Sequence, residues 1–464
     1  MIIRNMATPS QSMPLSTAFE KFCDIIIIFA LCAAIFVLPA SIAYLDSFIG
    51  LAVFFYMLKK IIGIFSAWNQ EARHLKPLAK MRFILKGFAP VPNVLGLPLL
   101  LLTMAMLVAV IMSQYPMLSL VAFFGKFLKG VFAYFSFLEV FNHERRVKVF
   151  LILLMASSFI MVIDGAFQHK TGKDFFKKHQ ISKIQNISSG RISGSFGDEN
   201  GLGAYLLIPI ALALHFFSRF LGLKKWGLMA ICGFLLVFLL VCLCWTYSRS
   251  SWLGLLFMLV SMAILDWRKI VLALIILAFF VSFFLPALSK VRHMHLINDT
   301  DSESQEIFDQ SKSPSDKLLD LIRSNGSGRY AYWQKAISII RSSPIYGTGL
   351  NTYTKIIERN PDKSTWWYAH NSYLQMAAET GILGLGCFLF MLFVLFRHGL
   401  IYCSQIHDPW ILNALQGVLT GIFALFVQSF LDNTLYTVQL SMFMWLMIGM
   451  AVALTQLEPS RIKS

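Results

Sequence analysis

Long apolar stretches separated by polar connections constrain the fold of this chain most strongly. About twelve of them are long enough to cross a bilayer, since a transmembrane helix needs about 20 mostly apolar residues. They lie near 22–43, 45–65, 93–113, 116–140, 147–167, 202–218, 227–246, 250–265, 270–287, 371–396, 410–430 and 436–455. Composition agrees, because 57% of the 464 residues are hydrophobic and only 14% are charged. The pattern predicts an all-α polytopic membrane protein.

Basic residues concentrate in every second connection, and this bias predicts the orientation of the chain. The segment 59–86 is rich in lysine and arginine, and smaller basic clusters occur at 145–148, 219–225 and 268–269. Cytoplasmic connections of membrane proteins carry such an excess. We therefore expect both termini to be cytoplasmic. The formal net charge of +16 indicates contact with anionic membrane lipid rather than with nucleic acid.

Two connections on the opposite face are unusual. The connection at about 168–200 is basic, although short basic loops resist translocation. Its charge predicts a task such as holding an anionic substrate, unless the loop is long enough to translocate regardless of charge. The other is a large, mostly helical loop over 288–370. The chain thus divides into 1–287, with the spans before the large loop, the loop itself, and 371–464, with the last spans and a cytoplasmic tail.

Polar strings at this outer boundary contain candidate anion-binding residues. Arg191 and Asn200 belong to a string whose glycines allow tight turns, and backbone amides freed in such turns can face an anion. Arg249 lies in the turn Tyr247-Ser248-Arg249-Ser250-Ser251 between two spans. A guanidinium stays charged and can hold phosphate oxygens in a bidentate fork.

Two further strings lie in and after the large loop. Arg329 opens an amphipathic helix that is predicted to run to about Arg341 and to end at Pro344. His370 and Asn371 follow Trp367 where the loop enters the next span. An imidazole titrates near neutral pH and can therefore transfer protons there. The tryptophan either stacks on a sugar ring or belongs to the aromatic belt at the membrane surface.

Each of these residues also has an ordinary structural explanation. Arg191 could be a solvated loop charge, and Arg249 could extend toward lipid headgroups. Arg329 could simply begin a helix, and a single histidine at a membrane boundary is more often structural than catalytic. The site hypothesis is favoured because one side of the membrane receives all four strings.

Taken in order, the strings resemble the O-antigen ligase family, whose superfamily also includes O-antigen polymerases and related oligosaccharyltransferases. The shared features are Arg-x-x-Gly-x-Phe followed by Asn, Ser-Arg-Ser at a span start, Arg-x-x-x-Trp before Pro-x-x-Gly-x-Gly, and His-Asn-x-x-Leu before Glu-x-Gly. They run from Arg191 to Gly384, and the predicted spans extend the similarity over most of the chain.

The resemblance implies a glycosyltransferase of the bacterial inner membrane. It would move a glycan from undecaprenyl pyrophosphate to a sugar hydroxyl of lipid A–core, on the periplasmic face and without a metal or cofactor. A sugar hydroxyl is a poor nucleophile and needs a base, which His370 could provide. The charge that grows on the leaving pyrophosphate needs fixed cations, which Arg249 and Arg329 could provide. Substrate binding is assigned to Arg191, Asn200, Asn371, Lys126 and Trp367.

Three other patterns have both a functional and a structural explanation. Lys126 and Lys129 lie inside the fourth span, where a charge is costly, so they either line a donor cavity or the span begins later. Asp299-Thr300-Asp301 matches the Asp-x-Asp of metal-dependent glycosyltransferases but lies in a run rich in acids and serine, which indicates a solvated loop. His293-x-His295 has no accompanying ligand set.

The reaction has alternatives. An O-antigen polymerase would join one lipid-linked repeat unit to another with the same residue types, and a protein oligosaccharyltransferase of the same superfamily is a further possibility. A transporter of a lipid-linked sugar would instead use charges along a membrane path and would tolerate the loss of His370. The His-Asn string after one dominant loop favours the ligase.

Overall fold

The computed structural model describes residues 15–68, 77–181, 190–265, 329–330, 332–357 and 368–457. Within these ranges the chain is all-helical, with 81% helix and no strand. The long helices are α1 Leu15–Val37, α2 Ile42–Ala67, α3 Pro77–Phe88, α4 Gly96–Ile111, α5 Pro116–Ala122, α6 Lys129–Val140, α7 Glu144–Thr171, α8 Glu199–Gly222, α9 Trp226–Trp245, α10 Arg249–Leu265, α11 Ser372–Cys403, α12 Pro409–Gln428 and α13 Val438–Leu457. Residues 329–330 and 332–342 are also helical, as predicted for this end of the large loop.

Eight helical segments of the described chain are long and apolar enough to cross a membrane. Two shorter apolar helices, Gly96–Ile111 and Arg249–Leu265, coincide with further predicted spans. The predicted span at 270–287 and most of the predicted large loop lie outside the described residues. The multi-pass, all-helical architecture is therefore confirmed, whereas the count of twelve spans and the extent of that loop stay predictions.

One predicted boundary needs correction, and one alternative for the fourth span is decided. The first span was predicted over 22–43, but α1 ends at Val37 because Pro39 follows in a turn and cannot continue the helix. Lys126 and Lys129 do lie inside the fourth span, since the chain is helical without interruption from Pro116 to Val140. The part around Lys126, Phe123–Leu128, is π-helical, a distortion often found at functional sites.

Glycines bring α8, α10 and α12 into close contact at the centre of the bundle. A Cβ atom at Gly254 would lie 2.9 Å from the carbonyl oxygen of Ala424, and one at Gly421 would lie 2.8 Å from the Cα atom of Ile208. Helices in lipid gain little from hydrophobic burial against each other, so small residues that allow such contact stabilise their packing. This packing places the N-terminal ends of α8 and α10 side by side, where a Cβ atom at Gly203 would meet the side chain of Ser251.

Helix α11 is interrupted at one glycine, and backbone groups beside the interruption bind the turn that follows residues 332–342. Gly381 has φ 65° and ψ −172°, a conformation that is essentially restricted to glycine. The carbonyl oxygens of Pro344 and Ile345 accept hydrogen bonds from the amides of Ile382 and Leu383, at 2.9 Å and 3.2 Å. On the other side, the Gly349 amide donates to the Glu379 carbonyl oxygen at 2.8 Å. The large loop is thereby attached to the span that begins next to His370.

Replacing Gly381 with alanine is expected to destabilise the protein by about 3 kcal/mol. A Cβ atom there would lie 2.1 Å from the Ile345 carbonyl oxygen, and the backbone conformation would be strained as well. The thermal unfolding midpoint of the purified protein in detergent measures the loss. Gly386→Ala in the same helix is the matched control, because nothing lies within 4 Å of its Cβ position. Equal midpoints for the two variants would contradict the prediction.

Candidate active site

His370 occupies a strained backbone position immediately before α11. Its φ of 49° is uncommon outside glycine and occurs preferentially at functional sites. The Oδ1 atom of Asn371 caps α11 by accepting hydrogen bonds from the amides of Tyr373 and Leu374, each at 3.0 Å. Asn371 is buried and its oxygen is used in this cap, so its contacts position His370. The substrate-binding role predicted for Asn371 gains no support from them.

Asp432, in the turn between α12 and α13, lies beside this imidazole. The Nδ1 atom of His370 is 3.7 Å from the Oδ1 atom of Asp432. Ser372 fixes the turn, because its hydroxyl donates to the Asp432 carbonyl oxygen at 2.9 Å. In the described part of the chain, neither Nδ1 of His370 nor Oδ2 of Asp432 has a hydrogen-bond partner. The pair can close to a hydrogen bond when substrate binds, as apo catalytic contacts often do.

Arg191 connects two helix ends rather than extending into solvent. Its Nε atom donates to the Thr246 carbonyl oxygen at the end of α9, and its NH2 atom donates to the Asn200 Oδ1 atom at the start of α8, both at 3.0 Å. The interpretation as a solvated loop charge is therefore wrong. The contacts also bring the predicted residues Arg191 and Asn200 together.

Three arginines share one charged region with Asp432. Burial lowers the pKa of Arg329; the negative charge of Asp432 opposes this shift, while the positive charges of Arg249 and Arg191 add to it. Arg249 begins α10 after Tyr247, whose φ of 50° turns the chain between α9 and α10. Arginine remains protonated despite such shifts, so the region holds permanent positive charge.

A cavity of about 230 Å³, hereafter the His370 chamber, opens between these groups. It is lined by Asp198, Asn200, Gly201, Tyr368, His370, Asp432, Asn433, Thr434, Tyr436, Thr437 and Leu440. The three arginines flank the chamber without forming its wall. The chamber thus combines a histidine and two carboxylates with neighbouring fixed cations.

Asp198 has an unusual charge state in this chamber. Its carboxylate caps α8 by accepting a hydrogen bond from the Gly201 amide at 2.5 Å. Asp198 is exposed at the chamber surface, but the protein around the chamber replaces much of the bulk water near its carboxylate. This desolvation raises the pKa of Asp198 to about 6, and the charge of Asp432 adds to the rise. Asp198 is therefore neutral below about pH 6 and charged above it.

Asp198→Asn is expected to stabilise the protein at pH 7.5 but hardly at pH 3.5, below the window in which the carboxyl group ionises. The pKa rises from 3.8 to about 6 on folding, so ionisation destabilises the folded state progressively as the pH rises through that window. Asparagine keeps the capping oxygen and cannot ionise. We expect the unfolding midpoint at pH 7.5 to rise by about 1–3 °C. A midpoint shift of equal size at both pH values would contradict the prediction.

A second cavity of about 370 Å³, hereafter the membrane cavity, lies between α4, α5, α6, α11 and α13. Most of its lining is apolar, but Lys126 and Lys129 also line it. This agrees with the alternative in which the two lysines line a cavity. Lys126 donates from Nζ to the Oδ1 atom of Asn351 at 3.1 Å, whereas Lys129 pairs with Asp46 at 2.8 Å. Lys126 is thus separate from the His370 chamber.

The two cavities meet at Tyr436 and Thr437, which line both of them. Glu379 lines the membrane cavity, and its carboxylate accepts a hydrogen bond from the backbone amide of Asn351 at 2.8 Å. It interacts with the hydroxyl of Tyr436 as well. An amphiphilic molecule with an apolar tail and a polar head could therefore occupy both cavities at once.

Sequence reasoning underestimated several residues. The sequence places Asp432 in the last outward turn, where it could orient a catalytic group, but no residue spacing supports that role, and Asp198 and Tyr436 receive no role. Asp198 could have been found as the acidic cap that precedes a span. Trp367 lies outside the described residues. Within the described ranges, no group of three or more His, Cys, Asp or Glu side chains is arranged to hold a metal ion.

Comparison with known protein families identifies an O-antigen ligase domain at residues 234–389, about a third of the chain. No curated protein matches the sequence. The domain begins inside α9, ends inside α11, and includes Arg249, Arg329 and His370. Together with the apolar helices it shows a multi-pass membrane protein related to glycosyltransferase-type ligases. The predicted resemblance is thereby confirmed over residues 234–389, where the sequence matches the O-antigen ligase family.

Proposed function

We propose that this chain is an O-antigen ligase-type glycosyltransferase. It transfers a glycan from undecaprenyl pyrophosphate to a sugar hydroxyl of lipid A–core, on the periplasmic face of the bacterial inner membrane. The observation that carries the proposal is the pairing of His370 with Asp432, 3.7 Å apart, in a chamber flanked by three guanidinium groups. A base beside fixed cations suits the attack of a hydroxyl on a carbon that bears a pyrophosphate leaving group.

His370 accepts the proton of the attacking hydroxyl at Nε2 in this mechanism. Asp432 accepts a hydrogen bond from Nδ1–H, which fixes the tautomer and stabilises the imidazolium that forms. The new bond joins the acceptor oxygen to the anomeric carbon, and the bond from that carbon to the pyrophosphate oxygen breaks with its electron pair. Direct attack inverts the anomeric centre. The proton then leaves His370 for water.

The leaving pyrophosphate gains negative charge as its bond to the sugar breaks. Arg249 and Arg329 stabilise this charge because guanidinium groups are permanently protonated and bind phosphate oxygens in pairs. Arg191 acts with Asn200 at the N-terminal end of α8. The hydrogen bond between the two side chains holds both in place to bind the donor. No metal is needed in this proposal, since the positive charge comes from side chains.

The donor extends over both cavities. Its isoprenoid chain occupies the apolar membrane cavity, its glycan occupies the His370 chamber, and the pyrophosphate passes Tyr436 between them. Lys126 contributes a cation at the lipid end, where its Nζ atom donates to the side-chain oxygen of Asn351 and also interacts with the charge of the Glu379 carboxylate. Trp367 remains the proposed stacking partner for a sugar ring.

The test is a transfer assay with purified wild-type protein in vesicles, supplied with glycan linked to undecaprenyl pyrophosphate and with lipid A–core. Glycan attached to lipid A–core, separated on a gel, is the expected product. Longer lipid-linked glycans without attachment to the core would establish a polymerase instead. With a donor verified by mass spectrometry, the absence of both products would exclude the proposed reaction.

A further inference from the structure

A short hairpin projects from the outer end of α7. Gly172, with φ 81°, ends the helix, and the chain then folds back so that Lys173 and Gln180 form an antiparallel bridge. The Ile181 amide donates to the Gly172 carbonyl oxygen at 2.9 Å. We call residues 172–181 the outer hairpin. It belongs to the basic connection that the sequence places on the same face as His370.

A buried aspartate fixes the inside of the outer hairpin. Asp174 is only 1% exposed. Its carboxylate accepts hydrogen bonds from the amides of Lys177 and His179 and from the hydroxyl of Ser195, the first at 2.6 Å and the last at 3.0 Å. These bonds define the turn and tie it to the segment before α8. The tip conformation is therefore imposed by the fold.

A second buried carboxylate holds the tip from the end of α7. Asp164 is 2% exposed and accepts a hydrogen bond from the Phe175 amide at 2.7 Å. Its other oxygen accepts from the Ser195 amide at 2.7 Å and lies 2.8 Å from the Ser195 hydroxyl, whose single proton is shared between the two carboxylates. The two buried carboxylates hold this turn in one conformation. Burying a carboxylate is costly unless it accepts hydrogen bonds such as these.

The presented surface is both aromatic and cationic. Phe175 and Phe176 are 63% and 53% exposed, with ring centroids 5.3 Å apart. Lys170, Lys173 and Lys178 are exposed beside them, and in the described part of the chain none of the three pairs with an acidic side chain. Two adjacent exposed phenylalanines are unfavourable in water, whereas phenylalanine next to lysine is typical of segments that insert into the membrane interface. The pattern suits a lipid with an anionic headgroup.

The outer hairpin is attached to the wall of the His370 chamber. Lys177 donates from Nζ to the Ser195 carbonyl oxygen at 2.8 Å. Ser195 belongs to the turn Gly194–Phe196, and this turn leads within a few residues to Asp198 and Asn200 in the chamber lining. A lipid headgroup bound at the hairpin would therefore lie next to the chamber.

We propose that the outer hairpin is the docking surface for the acceptor lipid and that its lysines bind phosphate groups of the acceptor headgroup. This inference rests on the proposed function. Phe175 and Phe176 enter the interface beside the acyl chains, while the core sugars extend from the headgroup toward His370. The donor is a poorer occupant, because its pyrophosphate must lie at the reacting carbon near Arg249 and Arg329. Charge complementarity thus assigns the lysines of the outer hairpin to the acceptor lipid and the arginines near the His370 chamber to the donor lipid.

Kinetics with two acceptors test the assignment. The double variant Lys173→Gln/Lys178→Gln is compared with wild type in neutral phosphatidylcholine vesicles, using lipid A–core with and without its phosphate groups. With the phosphorylated acceptor, we expect the acceptor KM to rise about tenfold, since each lysine near a lipid surface contributes substantially to anion attraction. The kcat and the donor KM should stay within twofold of wild type. With the dephosphorylated acceptor, the variant and wild type should have the same KM.

Lys224→Gln/Lys225→Gln is the matched control. It removes the same charge from the connection between α8 and α9 on the opposite face, and Lys224, like Lys178, has a positive φ. This variant should leave the acceptor KM unchanged. A second variant, Phe175→Ser/Phe176→Ser, should raise the KM of both acceptors equally, because it removes the apolar part of the contact.

An unchanged KM of the phosphorylated acceptor in the lysine variant would overturn the inference. So would equal increases for the two acceptors, or a defect confined to the binding of phosphatidylglycerol vesicles, which would assign the hairpin to bulk anionic lipid. Binding of fluorescent lipid A–core is measured in parallel without donor. If wild type binds phosphorylated acceptor through these lysines but transfers nothing, the proposed function fails and the docking surface stands.

Discussion

Replacing His370 with alanine is expected to lower the rate of glycan transfer about 10²- to 10⁴-fold, the range for removal of a general base. The imidazole of His370 lines the chamber, and its Nδ1 atom faces a carboxylate partner, Asp432. Donor binding should persist, since the proposed contacts to the pyrophosphate and the isoprenoid chain come from other residues. The single-turnover rate with bound donor, together with the donor dissociation constant, measures both effects.

His143→Ala is the matched control for this variant, because His143 is exposed in the connection between α6 and α7, which the basic residues predict to be cytoplasmic. It should transfer glycan at the wild-type rate. Asp432→Asn should give a smaller loss than His370→Ala, since it leaves the base in place and removes only its orientation. Full activity of His370→Ala would show that a different group accepts the proton.

The parts of this site that the sequence predicts well are those that depend on local patterns. Arg249 and His370 stand where apolar stretches begin, so hydropathy and the orientation of the spans place them at one membrane face. Arg329 is helical, and the helical residues 332–342 end before Pro344, as the spacing predicts. Membrane topology alone restricts residues at the ends of spans to the narrow region of one membrane–water interface.

The parts that could not be predicted depend on contacts between distant segments. Asp432 reaches His370 only because Ser372 binds the Asp432 carbonyl oxygen, 60 residues further along the chain. The contact of Arg191 with the Thr246 carbonyl oxygen involves a backbone atom and has no sequence signature. The break at Gly381 looks like one more glycine in an apolar span until the carbonyl oxygen of Ile345 is found beside it. None of these contacts follows from hydropathy or from residue spacing.

Arg329→Gln is expected to lower kcat about 10²- to 10³-fold, comparable to removal of one preorganised donor that stabilises charge in a transition state. Arg329 lies near Arg249, Arg191 and Asp432 and is partly withdrawn from water, so its charge acts in a region of low dielectric. Arg329→Lys should recover part of the loss, because lysine keeps the charge but lacks the planar fork. Rapid-quench measurement with saturating donor separates this effect from binding.

Arg341→Gln is the matched control, since Arg341 is exposed near the other end of the same helical segment and should be replaceable without loss of rate. The division of the effect between kcat and KM decides the role of Arg329. A loss in kcat with little change in the donor KM means that the guanidinium binds the leaving pyrophosphate more tightly than the intact donor. A rise in KM with unchanged kcat would instead mean that Arg329 binds donor and transition state equally, so that stabilisation of the leaving group would have to come from Arg249 or Arg191.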